Sequence, residues 1–155
     1  MAGNLLIFSA LSAISQGDLE RASALNEEGL VLFREIRDVQ GIGHSLNNLG
    51  LNAIMLHDYY GASAFLRENL RLAREADYKL DIQYSLIGFG MVASANRQPA
   101  RAARLWGAEE AMREAFGIHI TPLARSSTNY EGYLATHARS WTRHPSLRPG
   151  QKAGR

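Results

Sequence analysis

The sequence predicts an all-α fold: an α-solenoid of three antiparallel helix pairs with a period of about 40 residues, followed by a closing helix. Three observations carry that expectation. Residues one period apart match in kind, as in Leu6, Leu46 and Leu86, in Ala13, Ala53 and Ala93, in Ala22, Ala62 and Ala102, and in the small trio Ala10, Gly50 and Gly90. Polar joints recur in the same register, as Gly17-Asp18, His57-Asp58 and Arg97-Gln98. Between the joints the apolar residues follow helical spacing, with Leu25, Phe65 and Leu105 in matching places and Leu32, Leu72 and Met112 in another set.

Taken in order, the first helix is expected over about 4–15 and is broken at Gln16-Gly17-Asp18. Gly17 suits a left-handed helix end, and the Asp18 carboxylate can accept a backbone N–H to start the next helix. The second helix covers about 19–37, with Leu25, Leu32 and Ile36 at helical spacing and Ala22 and Gly29 on a neighbouring stripe of small residues. After Asp38-Val39-Gln40-Gly41, a third helix over about 42–56 carries Leu46, Leu49, Gly50 and Ala53. Asp58 caps a fourth that runs to about 76 with Ala62, Phe65, Leu66, Leu70 and Leu72. The fifth, about 81–95, carries Leu86, Phe89, Gly90 and Ala93. Pro99 opens the sixth, where its missing N–H costs nothing, and Gly117 ends it after Phe116.

Glycine inside a helix costs about 0.8–1 kcal/mol relative to alanine, so Gly50 and Gly90 are expected where two helices cross tightly. Beyond Gly117, Ile118-His119-Ile120-Thr121-Pro122 is too short and too β-branched for a helix. A closing helix is expected to reach about residue 140. Residues 141–155, rich in Pro, Gly and basic side chains, cannot bury enough surface to fold. The domain reading is therefore a helical-repeat domain over 1–140 and a disordered basic tail over 141–155.

Composition narrows the chemistry. At 155 residues, 46% hydrophobic and 21% charged, the chain can bury a core. It has no Cys, which excludes disulfides, thiolate metal sites and a Cys nucleophile. No apolar run approaches the ~20 residues of a membrane helix. No Lys or Arg precedes the run over 5–14, so it reads as a helix and not as a signal-peptide core, and a cytoplasmic location is expected. All 15 acidic residues lie at or before Glu131, whereas Arg139, Arg143, Arg148, Lys152 and Arg155 follow it. The body is thus net acidic and the pI near 9.1 belongs to the tail, so nucleic-acid binding by the body is not expected.

No catalytic, cofactor or metal constellation stands out. The five His residues, 44, 57, 119, 137 and 144, form no i, i+4 pair, and His57 is most simply a helix-end residue. Glu27-Glu28 and Glu109-Glu110 are adjacent on helices and point about 100° apart, so both read as solvated faces. Ser126-Ser127-Thr128 has no matched His and Asp and reads as a helix start. Trp106 is expected to wedge between the last pair and the closing helix.

Leu49-Gly50 on a first helix followed by Ala62 on a second resembles the tetratricopeptide repeat, in a variety with a longer period. Ala102-Ala103-Arg104-Leu105-Trp106-Gly107-Ala108, with Gly117 and Pro122 behind it and Tyr130-Glu131…Ala138-Arg139 beyond, resembles the last repeat of the C-terminal helical region of bacterial LuxR-type transcriptional regulators and large signalling ATPases. That resemblance implies a fragment of such a regulator: a protein-interaction or signal-sensing module. No Gly-rich loop ending in Gly-Lys-Ser or Gly-Lys-Thr is present and no DNA-reading helix-turn-helix is recognisable, so neither ATPase nor DNA-binding activity carries over.

With Leu49-Gly50 as the packed pair, the first helices line a concave face whose groove positions are His44, Asn47, Leu51 and Met55. Their counterparts one period on are Tyr84, Ile87 and Met91, and one period back Asn4, Ile7 and Leu11. Aromatic, Met and amide side chains suit a peptide or partner helix, and the lack of Lys and Arg disfavours capture of a terminal carboxylate. The expected partner is a protein or peptide, with other domains of a longer regulator among the candidates. No cofactor, membrane or enzymatic activity is expected. The alternative is a self-associating structural fragment that forms homo-oligomers through the exposed ends of the solenoid.

Overall fold

The computed structural model describes residues 2–117. They form six helices: α1 (Ala2–Ser15), α2 (Leu19–Glu35), α3 (Val39–Met55), α4 (Tyr59–Glu75), α5 (Lys79–Ala95) and α6 (Pro99–Phe116). No strand occurs among the described residues. The closing helix, Ser126-Ser127-Thr128 and the basic tail of the sequence reading lie outside them.

Every joint has the same construction. Gly17, Arg37, His57, Asp77, Arg97 and Gly117 each take the left-handed conformation, with φ between 56° at Arg37 and 77° at Gly17. The residue after each of the first five donates its N–H back to a carbonyl five positions earlier: Asp18 to Ala13 at 2.9 Å, Asp38 to Phe33 at 2.9 Å, Asp58 to Ala53, Tyr78 to Ala73 and Gln98 to Ala93 at 2.8 Å. This closes carbonyls that the helix end would otherwise leave open. At three joints the same residue also starts the next helix. Asp18 Oδ1 accepts from Arg21 N–H at 3.1 Å, Asp38 Oδ1 from Gly41 at 3.1 Å and Asp58 Oδ1 from Gly61 at 2.9 Å. One aspartate thus ends one helix and caps the next, and the turn is short enough to force antiparallel neighbours. Tyr78 and Gln98 close their turns without a side-chain cap.

Two helix starts differ from the spacing-based expectation for this reason. α3 begins at Val39 because Asp38 caps it, and α5 begins at Lys79 directly after the Tyr78 turn. Ile36, expected on the packed side of α2, stands past the last turn and is exposed. The buried residues of α2 are instead Ala22, Asn26, Gly29, Leu30 and Phe33.

The three hairpins α1–α2, α3–α4 and α5–α6 pack side by side through α2 on α3 and α4 on α5. Odd helices also touch one another, α1 with α3 and α3 with α5, while even helices meet only sparsely. The array therefore curves toward its odd helices. Its core falls into two clusters, as nearest-neighbour packing requires. One holds Leu30, Phe33, Ile42, Leu46 and Leu49 at the first inter-hairpin junction. The other runs from Leu51 and Ile54 through Leu66, Ile87 and Met91 to Trp106.

The interior glycines mark tight crossings. A Cβ on Gly50 would meet Leu66 at 3.0 Å, and one on Gly88 would meet the same side chain at 2.7 Å, so Leu66 is a knob held between two helices. A Cβ on Gly90 would overlap the Trp106 indole. Trp106 is buried, packs on α5 and donates its indole N–H to the Ile87 carbonyl at 3.3 Å. No helix among the described residues is long and apolar enough to cross a membrane.

Candidate functional site

The seven groove positions divide by depth. Asn47, Leu51, Ile87 and Met91 are buried, and the last three belong to the second core cluster. His44, Met55 and Tyr84 are half-buried and form the accessible part of the inner face. Helical geometry explains the division. On α3 and α5 the neighbours on both sides cover most of the circumference, so a narrow strip is left open on the concave side. The counterparts on α1 are more open, with Asn4 exposed and Ile7 and Leu11 half-buried.

Behind His44 and Tyr84 lies a polar junction that spacing does not reveal. Asp81 is buried at 4% exposure in the first turn of α5, and Asn69 of α4 is fully buried beside it. Both close on Gly43 of α3. A Cβ there would stand 3.1 Å from Asn69 Oδ1 and 3.2 Å from Asp81 Oδ2. Asn69 Nδ2 donates to Ser85 Oγ at 3.2 Å. Among the described residues, no donor reaches Asp81 Oδ1 or Asn69 Oδ1. The junction is therefore rich in acceptors and poor in donors. Burial pushes the Asp81 carboxyl above the ordinary carboxylate range, and His44 opposes the shift electrostatically. Burial, and secondarily the Asp81 charge, also raise the Tyr84 hydroxyl.

The junction has a counterpart one period earlier. There the Phe33 ring fills the space between α1 and α3, above Gly3 and Gly41, and a Cβ on Gly3 would come within 2.6 Å of the ring. One period on, Gly3, Gly29, Phe33 and Gly41 become Gly43, Asn69, Ala73 and Asp81. Where the first junction holds an aromatic ring, the second holds an amide and a carboxyl. The signal was present in the sequence as the mismatch of Phe33 with Ala73 and of Gly41 with Asp81, but it becomes meaningful only when the four positions are known to meet.

A further polar pair lies deeper in the third hairpin. Gln83 Nε2 donates to Glu109 Oε1 at 2.5 Å, and Arg113 approaches the same oxygen at 3.8 Å. Glu109 is thus a buried residue; of the adjacent pair, only Glu110 keeps substantial contact with solvent. Packing of α6 on α5 turns Glu109 inward. His57 stands at a helix end and shares a hydrogen bond with the Tyr59 hydroxyl at 2.9 Å.

Among the described residues, no group of three or more His, Asp or Glu side chains is gathered as a metal ion requires. Three arginines stand together on α4. Arg67, Leu70, Arg71, Arg74 and Glu75 line a shallow depression of about 480 Å³. Part of that charge is answered locally, by Arg71 with Glu75 at 2.9 Å, while Glu68 of α4 pairs across with Arg34 of α2 at 2.7 Å. In comparisons with known proteins, the chain matches no family model, no curated protein and no solved structure.

Proposed function

We propose that the array is a non-enzymatic protein-interaction or signal-sensing module whose inner face receives a peptide or partner helix. The observation that carries this reading is the strip of His44, Met55 and Tyr84, half-open on α3 and α5 and backed by Leu51, Ile87 and Met91. A thioether and an aromatic ring over an apolar floor offer adaptable contact area, and His44 and the Tyr84 hydroxyl add polar anchors. No Lys or Arg stands on the strip, which favours an apolar or amphipathic segment over an anionic one. The resemblance to the tetratricopeptide repeat and to the C-terminal region of LuxR-type regulators and signalling ATPases supports the same reading: a cytoplasmic sensing arm derived from a longer regulator.

Panning a displayed peptide library on the full chain tests it. Enriched sequences are expected to be amphipathic and to lose binding to a Met55→Ser/Tyr84→Ser variant that keeps the parent helicity. Equal binding to parent and variant would remove the strip from consideration. Reproducible turnover in a broad hydrolase and transferase screen would overturn the non-enzymatic part.

A further inference from the structure

We propose that the seam between the second and third hairpins is a proton-operated joint: a proton on Asp81 holds the start of α5 against α3 and α4, and its loss lets that start swing away. Geometry supplies the trigger. Asn69 Nδ2 is committed to Ser85 Oγ, and the amide oxygen faces Gly43. Asp81 Oδ2 faces the same bare stretch of α3. Gly43 brings no side chain, and its N–H belongs to the helix ladder. Two acceptors on buried residues therefore meet with no protein donor between them. A proton on Asp81 turns one of them into a donor, an O–H that can bond the Asn69 oxygen. A water could donate to both, but it would leave a carboxylate charge in a seam without a cation.

The repeat shows how a buried carboxyl is answered elsewhere. Glu109 stands one period after Asn69, and there Gln83 donates to it and Arg113 approaches at 3.8 Å. Asp81 has neither kind of partner: among the described residues no Lys or Arg pairs with it. One period before Asp81 stands Gly41, under the Phe33 ring, so the matching positions of the first seam hold no ionisable side chain.

The backbone offers the ionised carboxylate a second place. Asp81 lies in the first turn of α5, which starts at Tyr78 without the side-chain cap that Asp18, Asp38 and Asp58 give to α2, α3 and α4. The N–H groups of Lys79, Leu80 and Asp81 have no partner inside the helix, and the helix dipole favours a negative charge beside them. The closed arrangement thus suits the acid and the swung-out one suits the anion. The ionisable groups that face Asp81 are His44 from α3 and Tyr84 from α5 itself; α4 meets it with the neutral Asn69. Burial pushes the Asp81 carboxyl up more than His44 draws it down, so the closed joint keeps its proton above the ordinary carboxylate range. His44 and Met55 ride on α3 and Tyr84 on α5, so the spacing across the strip follows the proton. That last consequence rests on the reading of the strip proposed above; the joint itself does not.

Amide hydrogen exchange on the full chain, with no partner present and corrected for its intrinsic pH dependence, tests the joint. Protection over 82–86 is expected to fall as pH rises from near 3.8, by about tenfold per pH unit, and to level off past the folded pKa of Asp81. Amides over 26–33, beside the Phe33 seam, should hold theirs. Asp81→Asn keeps a donor toward Asn69 at every pH and should show a flat profile over 82–86. The Asp81 carboxyl ¹³C resonance of the parent gives a readout that does not depend on the variant folding, and its midpoint is expected above 3.8. A flat profile in the parent, the same fall in Asp81→Asn, an equal fall over 26–33, or a carboxyl midpoint at or below 3.8 would each overturn the inference.

Discussion

Arg37, His57, Asp77 and Arg97 occupy a conformation that costs an ordinary L-residue roughly 1–2 kcal/mol. Each turn accepts that strain because the left-handed residue lets two backbone N–H groups close the preceding helix. Glycine at such a site removes the steric cost at some expense in chain entropy. Arg37→Gly is therefore expected to stabilise the protein by about 0.5–1 kcal/mol, seen as a higher urea midpoint with unchanged slope. Asp81 gives the second prediction at this scale. Its folded pKa lies above the unfolded value near 3.8, so the stability tied to its protonated form is complete below that pH. It is lost as pH rises through the folded pKa. Asp81→Asn should match the parent in urea titrations near pH 3 and exceed it at pH 7. His44 on α3, Tyr84 on α5 and the Asn69 and Ser85 side chains are common to both proteins, so the difference between the profiles reports Asp81. A parent that gains on the variant as pH rises would contradict the buried-carboxyl reading.

At the scale of elements, the array is held by large side chains seated on glycines: Phe33 on Gly3 and Gly41, Leu66 on Gly50 and Gly88, Trp106 on Gly90. Gly41→Ala should destabilise by about 1–3 kcal/mol, because its new methyl overlaps a ring that has little room to move. Paired with Phe33→Ala, the substitution should cost much less than the two single changes added together, with a coupling of about 0.5–3 kcal/mol. Additive single costs would mean that ring and glycine do not meet. The helices, their joints and the crossings at Gly50 and Gly90 are legible in the sequence, since Asp, Gly and helical spacing act over a few residues. The polar junction is not. Asn69, Ala73 and Asp81 take their meaning from Gly43, and that adjacency exists only after α3, α4 and α5 have packed. Glu109 shows the same limit, because its adjacency to Glu110 says nothing about which of them Gln83 will draw inward.

At the scale of the molecule, α3 touches α1, α2, α4 and α5, whereas α1 is supported from fewer sides. In a chain of nearest-neighbour contacts, local opening should follow that count of supports. Hydrogen exchange at low protein concentration is expected to show the slowest amides in α3 and the fastest among the helices in α1. Uniform protection across the six helices would instead mark a single cooperative globule.

By itself the sequence determined the helical class, the period and, to within a few residues, the joints among the described residues, because backbone hydrogen bonding and capping are decided within a handful of consecutive residues. Only the tertiary structure decided that His44, Met55 and Tyr84 stay accessible while Leu51, Ile87 and Met91 go under. It alone decided that a carboxyl and an amide replace a phenyl ring between hairpins. Those outcomes depend on which distant surfaces compete for the same few cubic ångströms, and residues tens of positions apart settle that competition only by packing.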